Sequence, residues 1–127
     1  MLDTHVFVWM LDSETKVAPE ALLYIDDNAE ERIFVSIVSI WELVIKQRIG
    51  KFSAAIDDVL GQLAPVSRIE LLDLMPEHVS ALRALPTHRH HRDPFDHMII
   101  AQAIAEGMTL LTRDGRAELY PVRIMRA

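Results

Sequence analysis

Residues 95–107 of the chain read FDHMIIAQAIAEG, and residues 109–112 read TLLT. The first stretch is strongly apolar and ends at Gly107, a residue that commonly terminates helices, so it predicts a helix over residues 95–106. The second stretch is short and apolar, which predicts a buried strand over residues 109–112. A helix followed at once by a strand is typical of an α/β chain.

The same alternation extends outward from this stretch in both directions. The sequence predicts further helices at residues 5–11, 19–28, 40–49, 54–63 (ended by Pro65) and 76–85. It predicts strands at residues 1–2, 33–36, 69–72 and 122–125. Alternating strands and helices favour a single α/β domain over residues 1–127, in which a short parallel sheet is flanked by helices as a three-layer α/β/α sandwich.

Composition narrows the class of protein. The 127 residues match the usual size of one domain, and half of them are hydrophobic, which argues against disorder. The absence of cysteine excludes disulfides and thiol catalysis and fits a reducing cytosol. No signal peptide is expected, because residues 1–3 lack a basic segment. The longest apolar stretch, residues 33–45, is shorter than the about 20 residues of a membrane helix, so a cytoplasmic protein is expected.

Four acidic residues stand where predicted strands end or helices begin. They are Asp3, Glu42, Asp96 and Asp114, with Asp93 one turn before Asp96. The carboxyl ends of parallel strands meet at one edge of a sheet, so these side chains are expected to share a crevice. Several carboxylates in one crevice repel each other unless a hard cation holds them together. The pattern therefore indicates a metal site and phosphate chemistry.

Each acid also has a purely structural explanation. Glu42 could form a capping box with Ser39 at the start of a helix. Asp93 could cap the helix over residues 95–106, and Asp3 could cap the helix over residues 5–11. Asp114 precedes a glycine in an ordinary turn dipeptide. Spacing alone leaves both explanations open.

Charge is the main argument against a nucleic-acid enzyme. The net charge is −6, whereas phosphate binding usually needs a basic surface. A metal bound to the acidic residues would offset part of this charge. The cations are grouped locally, at Lys46, Arg48 and Lys51 and, near the acids, at Arg89, Arg92, Arg113 and Arg116.

Six short motifs follow one another along nearly the whole chain. They are LDTH (residues 2–5), VSIWEL (38–43), IGKF (49–52), HRDPFD (91–96), IAQA (100–103) and LTRD (111–114). In this order they resemble the PIN-domain ribonucleases, specifically the VapC-type toxins of bacterial toxin–antitoxin pairs. RDPFD joined to IAQA is the most specific part of the resemblance. Family members usually have a few more residues before the LDT motif, so the first strand is expected to be short here.

The resemblance implies a PIN-like fold and an endoribonuclease toxin that depends on Mg²⁺ or Mn²⁺. It implies that Asp3 and Asp96 bind the metal directly. Glu42 would bind the metal or hold a metal-bound water, and Asp114 would be the fourth acid. Asp93 either completes the site or only caps its helix. The products are expected to carry a 5′-phosphate and a 3′-hydroxyl.

The resemblance also implies supporting residues and partners. Thr4 and Thr112, which adjoin the expected ligands, are plausible sources of hydroxyl groups that hold those ligands in place. RNA is the expected substrate, and a homodimer is the expected assembly. A VapB-type antitoxin is expected to silence the toxin by laying its C-terminal segment along the active groove.

Residues 87–92 read THRHHR and form the most basic part of the chain. RNA-backbone contacts are expected from Arg89 and Arg92 of this loop and from Lys46 and Arg113. The loop could instead be an ordinary solvated segment. A further alternative, a zinc or nickel site, would consist of His88, His90 and His91.

Two rival functions remain at this stage. One is a non-catalytic PIN-like module that binds RNA or a protein, with its acids serving only as helix caps. The other is a metal-dependent phosphohydrolase that acts on small molecules. The response of thermal stability to Mg²⁺ separates the capping explanation from the metal-site explanation, because only the second predicts stabilisation by the ion.

Overall fold

The computed structural model of the chain describes residues 1–63 and 68–127. Its helices are α1 (Thr4–Asp12), α2 (Pro19–Asp27), α3 (Ile37–Arg48), α4 (Ile56–Gln62), α5 (Pro76–Ala84) and α6 (Pro94–Ala105). Its strands are β1 (Ile33–Ser36), β2 (Ile69–Leu72), β3 (Thr109–Thr112) and β4 (Arg123–Arg126). Short 3-10 helices occupy Glu14–Lys16 and Gly115–Leu119. Pro65, which was expected to end the fourth helix, lies outside the described residues.

The predicted and observed elements agree closely. The strands over residues 33–36, 69–72 and 109–112 have the predicted bounds, and the ends of the helices lie within three residues of their predicted positions. Among the helices of the described residues, none is both long and apolar enough to cross a membrane.

The strands pair in parallel and are joined through the N-terminal segment. β1 pairs with β2, and β3 pairs with β4. Between these pairs, Leu2 forms parallel bridges to Val35 and Leu111. The Asp3 backbone N–H donates to the Leu111 carbonyl at 3.0 Å, so the segment lies between β1 and β3. The expected short first strand is thus a stub at the centre of the sheet, with the order β2, β1, stub, β3, β4.

Apolar cores cover both faces of the sheet. Val35 and Leu111 pack with Phe7 of α1 in one core. Leu110 packs with Ile99 of α6 in the other. Leu110 and Leu111 are neighbours in β3 and face opposite cores, as expected of a parallel strand that is buried on both sides. The prediction of a three-layer α/β/α sandwich is confirmed.

The start of α3 differs from the prediction in a way that concerns Glu42. The N-cap is Ser36, whose hydroxyl accepts the Val38 backbone N–H at 2.9 Å, so the helix begins at Ile37. Ser39 is therefore an internal, fully buried helical residue and not a cap. The predicted capping box between Ser39 and Glu42 is wrong, because the last residue of β1 itself caps the helix and no loop separates the two elements.

The ends of α6 follow their predicted local signals. Asp93 is the N-cap, and its carboxylate accepts the Phe95 backbone N–H at 2.9 Å. At the other end Gly107 has a φ of 64°, a left-handed conformation that disfavours residues with a Cβ. The Met108 N–H then donates back to the Ala103 carbonyl at 2.8 Å.

A buried polar network attaches α5 to α6. The His78 ring is fully buried, and its Nδ1 accepts the Met75 backbone N–H at 3.0 Å. The ring proton therefore lies on Nε2, which donates to Glu106 Oε1 at 2.7 Å. Gln102 of the IAQA motif lies against this ring and accepts a hydrogen bond from the Ser36 hydroxyl. This histidine has partners on both ring nitrogens and is structural.

Candidate active site

A cleft of about 400 Å³ opens at the carboxyl ends of the central strands. Its walls contain every acidic residue predicted for the site: Asp3, Glu42, Asp93, Asp96 and Asp114. The predicted supporting and cationic residues Thr4, Thr112, Lys46 and Arg113 line it as well. The fold therefore brings together acids from four separate parts of the sequence, as the convergence of parallel strands predicts.

Asp3 lies at the end of the central stub and faces the cleft. Its Oδ1 accepts the Val6 backbone N–H at 2.7 Å, so it also caps α1 as predicted. Its Oδ2 accepts a hydrogen bond from the Thr112 hydroxyl. Burial raises the pKa of Asp3, the hydrogen bonds from Thr112 and Val6 oppose this rise, and the negative charge of Asp96 adds to it.

Glu42 is buried on α3 and is held by two polar partners. The Thr4 hydroxyl donates to Glu42 Oε2 at 2.5 Å, and Lys46 Nζ lies 2.7 Å from Glu42 Oε1, one helical turn away. The Glu42 residue is 4% exposed, and these two partners hold its carboxylate at the cleft. Lys46 was expected to bind RNA, and in the structure it is paired with an acid of the site.

Asp96 lies in the first turn of α6, with its side chain about one-third exposed to the cleft. Burial raises the pKa of Asp96, and the neighbouring carboxylates of Asp93 and Glu42 raise it further. A hydrogen bond from His91 Nε2 to Asp96 Oδ2, at 3.1 Å, opposes the rise. Asp93 is exposed, and its carboxylate caps α6. It therefore has a structural role, with or without a role in binding a metal.

Asp114 follows β3 and caps the 3-10 helix Gly115–Leu119. The Arg116 guanidinium binds both of its carboxylate oxygens and holds the pKa of Asp114 below its usual value. The Thr112 hydroxyl accepts the Asp114 backbone N–H at 3.0 Å. Thr112 therefore connects Asp3 to Asp114 across the floor of the cleft.

His91 is a cleft residue that the sequence did not identify as such. It is 1% exposed, and a ring nitrogen of His91 lies within 4.8 Å of carboxylate oxygens of both Asp96 and Asp114. Its Nδ1 has no hydrogen-bond partner among the described residues. The position five residues before Asp96 follows no helical or strand period, so sequence pattern alone carried no signal for it.

The other histidines of the loop point elsewhere. His88 Nε2 lies 3.0 Å from the Leu119 carbonyl, and its ring packs edge-on against Tyr120. His90 is exposed. The alternative zinc or nickel site of His88, His90 and His91 is wrong for the described residues, because these three histidines do not bring ligand atoms within 4.8 Å of one another.

The cations divide between two neighbouring cavities. Lys46, Arg113 and Arg116 line the acidic cleft, and the Arg113 guanidinium lies 5.5 Å from the centre of the Trp9 ring. Arg89 and Arg92 line a second cavity of about 610 Å³. His91 lines both cavities and is the wall between them. The loop arginines are therefore beside the acidic cleft and not inside it.

The residues of the cleft fit a divalent cation. In the described part of the chain, neither Asp3 nor Asp96 forms a salt bridge with lysine or arginine, and the pKa of each is raised by burial and by other carboxylates. A ring nitrogen of His91 lies within 4.8 Å of carboxylate oxygens of Asp96 and Asp114. Unneutralised carboxylates gathered around a polar cleft are the oxygen donors that hard cations prefer.

Comparison with solved structures found similar folds. A chain of VapBC2 from Rickettsia felis, bound to a DNA fragment from their promoter, aligns with a TM-score of 0.71 and 22% identity, over 98% of this chain and 96% of that chain. A chain of DNA-bound VapBC from Salmonella typhimurium aligns with a TM-score of 0.67 and 22% identity, over 98% and 95%. At this identity the likeness concerns the fold.

Comparison by sequence gives the family. No curated protein matched the chain. The family model described as "PIN domain" matches residues 1–122, which is nearly the whole sequence and includes each acid of the cleft. The chain belongs to the PIN domain family.

Proposed function

We propose that the chain is a VapC-type toxin, an endoribonuclease that depends on Mg²⁺ or Mn²⁺. The observation that carries the proposal is the gathering of Asp3, Glu42, Asp93, Asp96 and Asp114 in one cleft of a PIN domain. The likeness of the fold to chains of two VapBC complexes supports the toxin assignment.

The acids have distinct roles in this proposal. Asp3 and Asp96 hold the cation, because their carboxylates face the cleft without a lysine or arginine partner among the described residues. Glu42, oriented by Thr4 and Lys46, binds the cation or a water beside it. When bound, the cation supplies an acidified water as nucleophile and neutralises charge on the phosphodiester. Asp114 completes the site from the β3 side.

RNA binding would rely on local cations, because the chain as a whole is acidic. Arg113 lines the cleft and would meet the phosphate that is cleaved. Arg89 and Arg92 line the adjacent cavity and would meet the phosphates of neighbouring nucleotides. A strand crossing both cavities would pass His91.

The proposed partners are a VapB-type antitoxin and a second copy of the chain, in the cytoplasm. Trp41 and Ile45 of α3 and Ile49, its C-cap, recur every four residues and are 57%, 36% and 61% exposed. Apolar side chains that share one exposed face of a helix commonly mark a protein interface. This exposed apolar face supports the proposal that the chain contacts at least one other protein chain.

The test measures melting temperature and RNA cleavage with and without Mg²⁺ or Mn²⁺. Mg²⁺ at about 100 times its Kd should stabilise the wild type by about 2.7 kcal/mol, or roughly 10 °C for a domain of this size. Asp96→Asn should abolish both this shift and cleavage. Asp26→Asn, which removes an exposed charge on α2, should retain both.

The rival functions predict other results. A non-catalytic module would bind RNA or protein without cleaving RNA, and Mg²⁺ would leave its melting temperature unchanged. A small-molecule phosphohydrolase would be stabilised by Mg²⁺ and would hydrolyse a nucleotide ester while leaving structured RNA intact. Cleavage of total RNA to products with 5′-phosphate ends would exclude both rivals.

A further inference from the structure

The second cavity, of about 610 Å³, differs from the acidic cleft in its charge. Arg89 and Arg92 line it, and no aspartate or glutamate does so among the described residues. Both arginines are exposed, and the polar contact of their side chains within the described part of the chain is a 3.1 Å hydrogen bond from Arg92 Nε to the Arg89 carbonyl. In the cleft, by contrast, Lys46 and Arg116 are each paired with an acid. The second cavity thus gathers positive charge that no described carboxylate neutralises.

Part of the wall of the second cavity is apolar. It is formed by Leu82 of α5, by Leu85, the C-cap of that helix, and by the exposed Pro86. Leu85 packs against the core that contains Ile99 and Leu110, so this part of the wall is anchored to the body of the domain. An apolar wall beside free cations fits a ligand that has a flat, largely apolar body and a negative charge. A nucleotide is such a ligand.

The rings of His88 and His97 also line the second cavity, and both are fixed by contacts within the domain. His88 Nε2 donates to the Leu119 carbonyl at 3.0 Å, and its ring packs edge-on against Tyr120. His97 Nε2 donates to the His91 carbonyl at 2.8 Å. Because a carbonyl only accepts, the neutral rings carry their proton on Nε2, and Nδ1 of each is an acceptor without a partner among the described residues. Rings held in place before a ligand arrives lower the ordering cost of binding it.

The second cavity lies directly beside the cleft. His91 lines both, and its Nε2 lies 3.1 Å from Asp96 Oδ2 in the cleft. Arg92 lines the second cavity, and the next residue, Asp93, lines the cleft. An RNA strand with a phosphate at Asp96 would therefore place an adjacent nucleotide at the second cavity.

We propose that the second cavity binds one unpaired base of the RNA, beside the phosphate that is cleaved, and so sets the base preference at that position. The inference rests on the proposed function, because cleavage in the acidic cleft is what brings the strand to this cavity. Bases that are not in a helix are the usual targets of sequence-specific RNA binding, and they stack on rings and on arginine. An acidic peptide would match the arginines alone, whereas a nucleotide matches the arginines, the rings and the apolar wall.

The first experiment maps the cleavage of a pool of random single-stranded RNA by sequencing the cut ends. The wild type should prefer one base at a single position adjacent to the cut by about tenfold, the scale of one base contact. Thr87→Trp puts a large ring at an exposed position that lines the cavity, and Arg89→Ala removes a cation from it. Each should reduce the preference to less than about threefold and leave the other positions unchanged. Arg83→Ala is the matched control, because Arg83 is exposed and lines neither the cleft nor the second cavity, and it should retain the preference.

The second experiment measures binding apart from cleavage. Labelled hexanucleotides of A, C or U are titrated with the cation-free chain at low salt, and fluorescence anisotropy gives each affinity. Thr87→Trp should weaken the binding of the hexanucleotide that the wild type prefers at least about tenfold. Ser80→Trp makes a similar change at an exposed position of α5 that lines neither cavity, and it should leave the affinity unchanged. A labelled hexaglutamate peptide, titrated in the same way, tests the protein alternative.

The outcomes separate this inference from the proposed function. A wild type that cleaves RNA without a base preference beside the cut, or whose preference survives in folded Thr87→Trp and Arg89→Ala, overturns the role of the cavity and leaves the proposed function intact. A wild type that binds a hexanucleotide through the cavity but cleaves no RNA overturns only the proposed function.

Two further outcomes overturn the inference. A wild type that neither binds a hexanucleotide nor cleaves RNA overturns both proposals. If Arg89→Ala weakens the binding of hexaglutamate and leaves the base preference unchanged, the cavity is a protein-binding site. Should Thr87→Trp fail to fold, Arg89→Ala against Arg83→Ala decides the question in both experiments.

Discussion

Replacing Thr112 by valine isolates the hydroxyl that links two acids of the cleft. This hydroxyl donates to Asp3 Oδ2 and accepts the Asp114 backbone N–H at 3.0 Å, and the side chain is 2% exposed. Valine keeps the branched shape and makes neither hydrogen bond. A hydrogen bond to a charged group contributes about 1.5–3 kcal/mol and a neutral one about 0.5–1.5 kcal/mol. Because the cleft is open to solvent, we expect the lower sum, about 2 kcal/mol, or roughly 8 °C in Tm.

The loss should depend on pH through the ionisation of Asp3. Burial raises the pKa of Asp3 above its ordinary value of 3.8, and the Thr112 hydrogen bond favours the ionised form. The contribution of this hydrogen bond is therefore present above the folded-state pKa of Asp3. It decreases as the pH falls through that pKa, where the carboxylate becomes protonated. Thr112→Val should cost more stability at pH 8 than at pH 3.8, which lies below the raised pKa of Asp3.

Urea denaturation of the cation-free chain at both pH values measures this difference. Thr109→Val is the matched control, because Thr109 lies on the same strand and its hydroxyl contacts only the Tyr24 hydroxyl, at 3.4 Å, among the described residues. Its cost should be below about 1 kcal/mol at either pH. Equal costs for the two variants, or a cost of Thr112→Val that does not change with pH, would refute the reasoning.

Three further results are expected. His78→Gln should lower the free energy of unfolding by about 2–3 kcal/mol, because it leaves buried polar groups unpaired. The control His90→Gln, at an exposed position, should change it by less than about 0.5 kcal/mol. Urea denaturation measures both values. Neutralising Arg89 and Arg92 together should reduce the slope of log K for RNA against log salt by about 1.4, at about 0.7 per phosphate contact, as measured by binding titrations at several salt concentrations. The pKa of Asp96 is raised in the folded state, so the cation-free chain should lose stability as the pH rises from 3.8 through that pKa, and Asp96→Asn should flatten this part of the pH–stability curve.

Elements with local signals were predictable from the sequence. Asp93 followed by proline marked the start of α6, and Gly107 marked its end. The convergence of the acids was predictable as well, because it depends only on the parallel arrangement of strands and on where each strand ends. The pattern could not give the distances between the acids, or the hydrogen-bond and salt-bridge partners of each one.

The start of α3 shows how a local signal can mislead. Ser36 and Ser39 are both good N-caps, and the two β-branched residues between them favour a strand that continues past Ser36. Tertiary structure decides between the two serines, because the Ser36 hydroxyl also donates to Gln102 of α6. The choice places Glu42 in the second turn of the helix, where it faces the cleft instead of the helix terminus.

His91 shows a different limit of sequence reasoning. His90 and His91 are adjacent, and neither helical nor strand periodicity distinguishes them. The turn over residues 88–91 directs one ring outward and the other against Tyr120, which lies 29 residues further along the chain. A contact between residues so far apart in sequence depends on the assembled fold. The position of His91 between the two cavities could therefore be found only in the structure.

The acidity of the chain is compatible with an RNA substrate once the cleft is considered by itself. Of the cations that line it, Lys46 is paired with Glu42, and Arg116 is paired with Asp114. Arg113 is then the remaining cation among the described lining residues. It faces carboxylates that have no lysine or arginine partner there, so a phosphate entering the cation-free cleft would be repelled. A divalent cation held by those carboxylates would neutralise their charge. Acidic residues that add to the negative charge of the chain would thus, through a bound cation, create its phosphate-binding site.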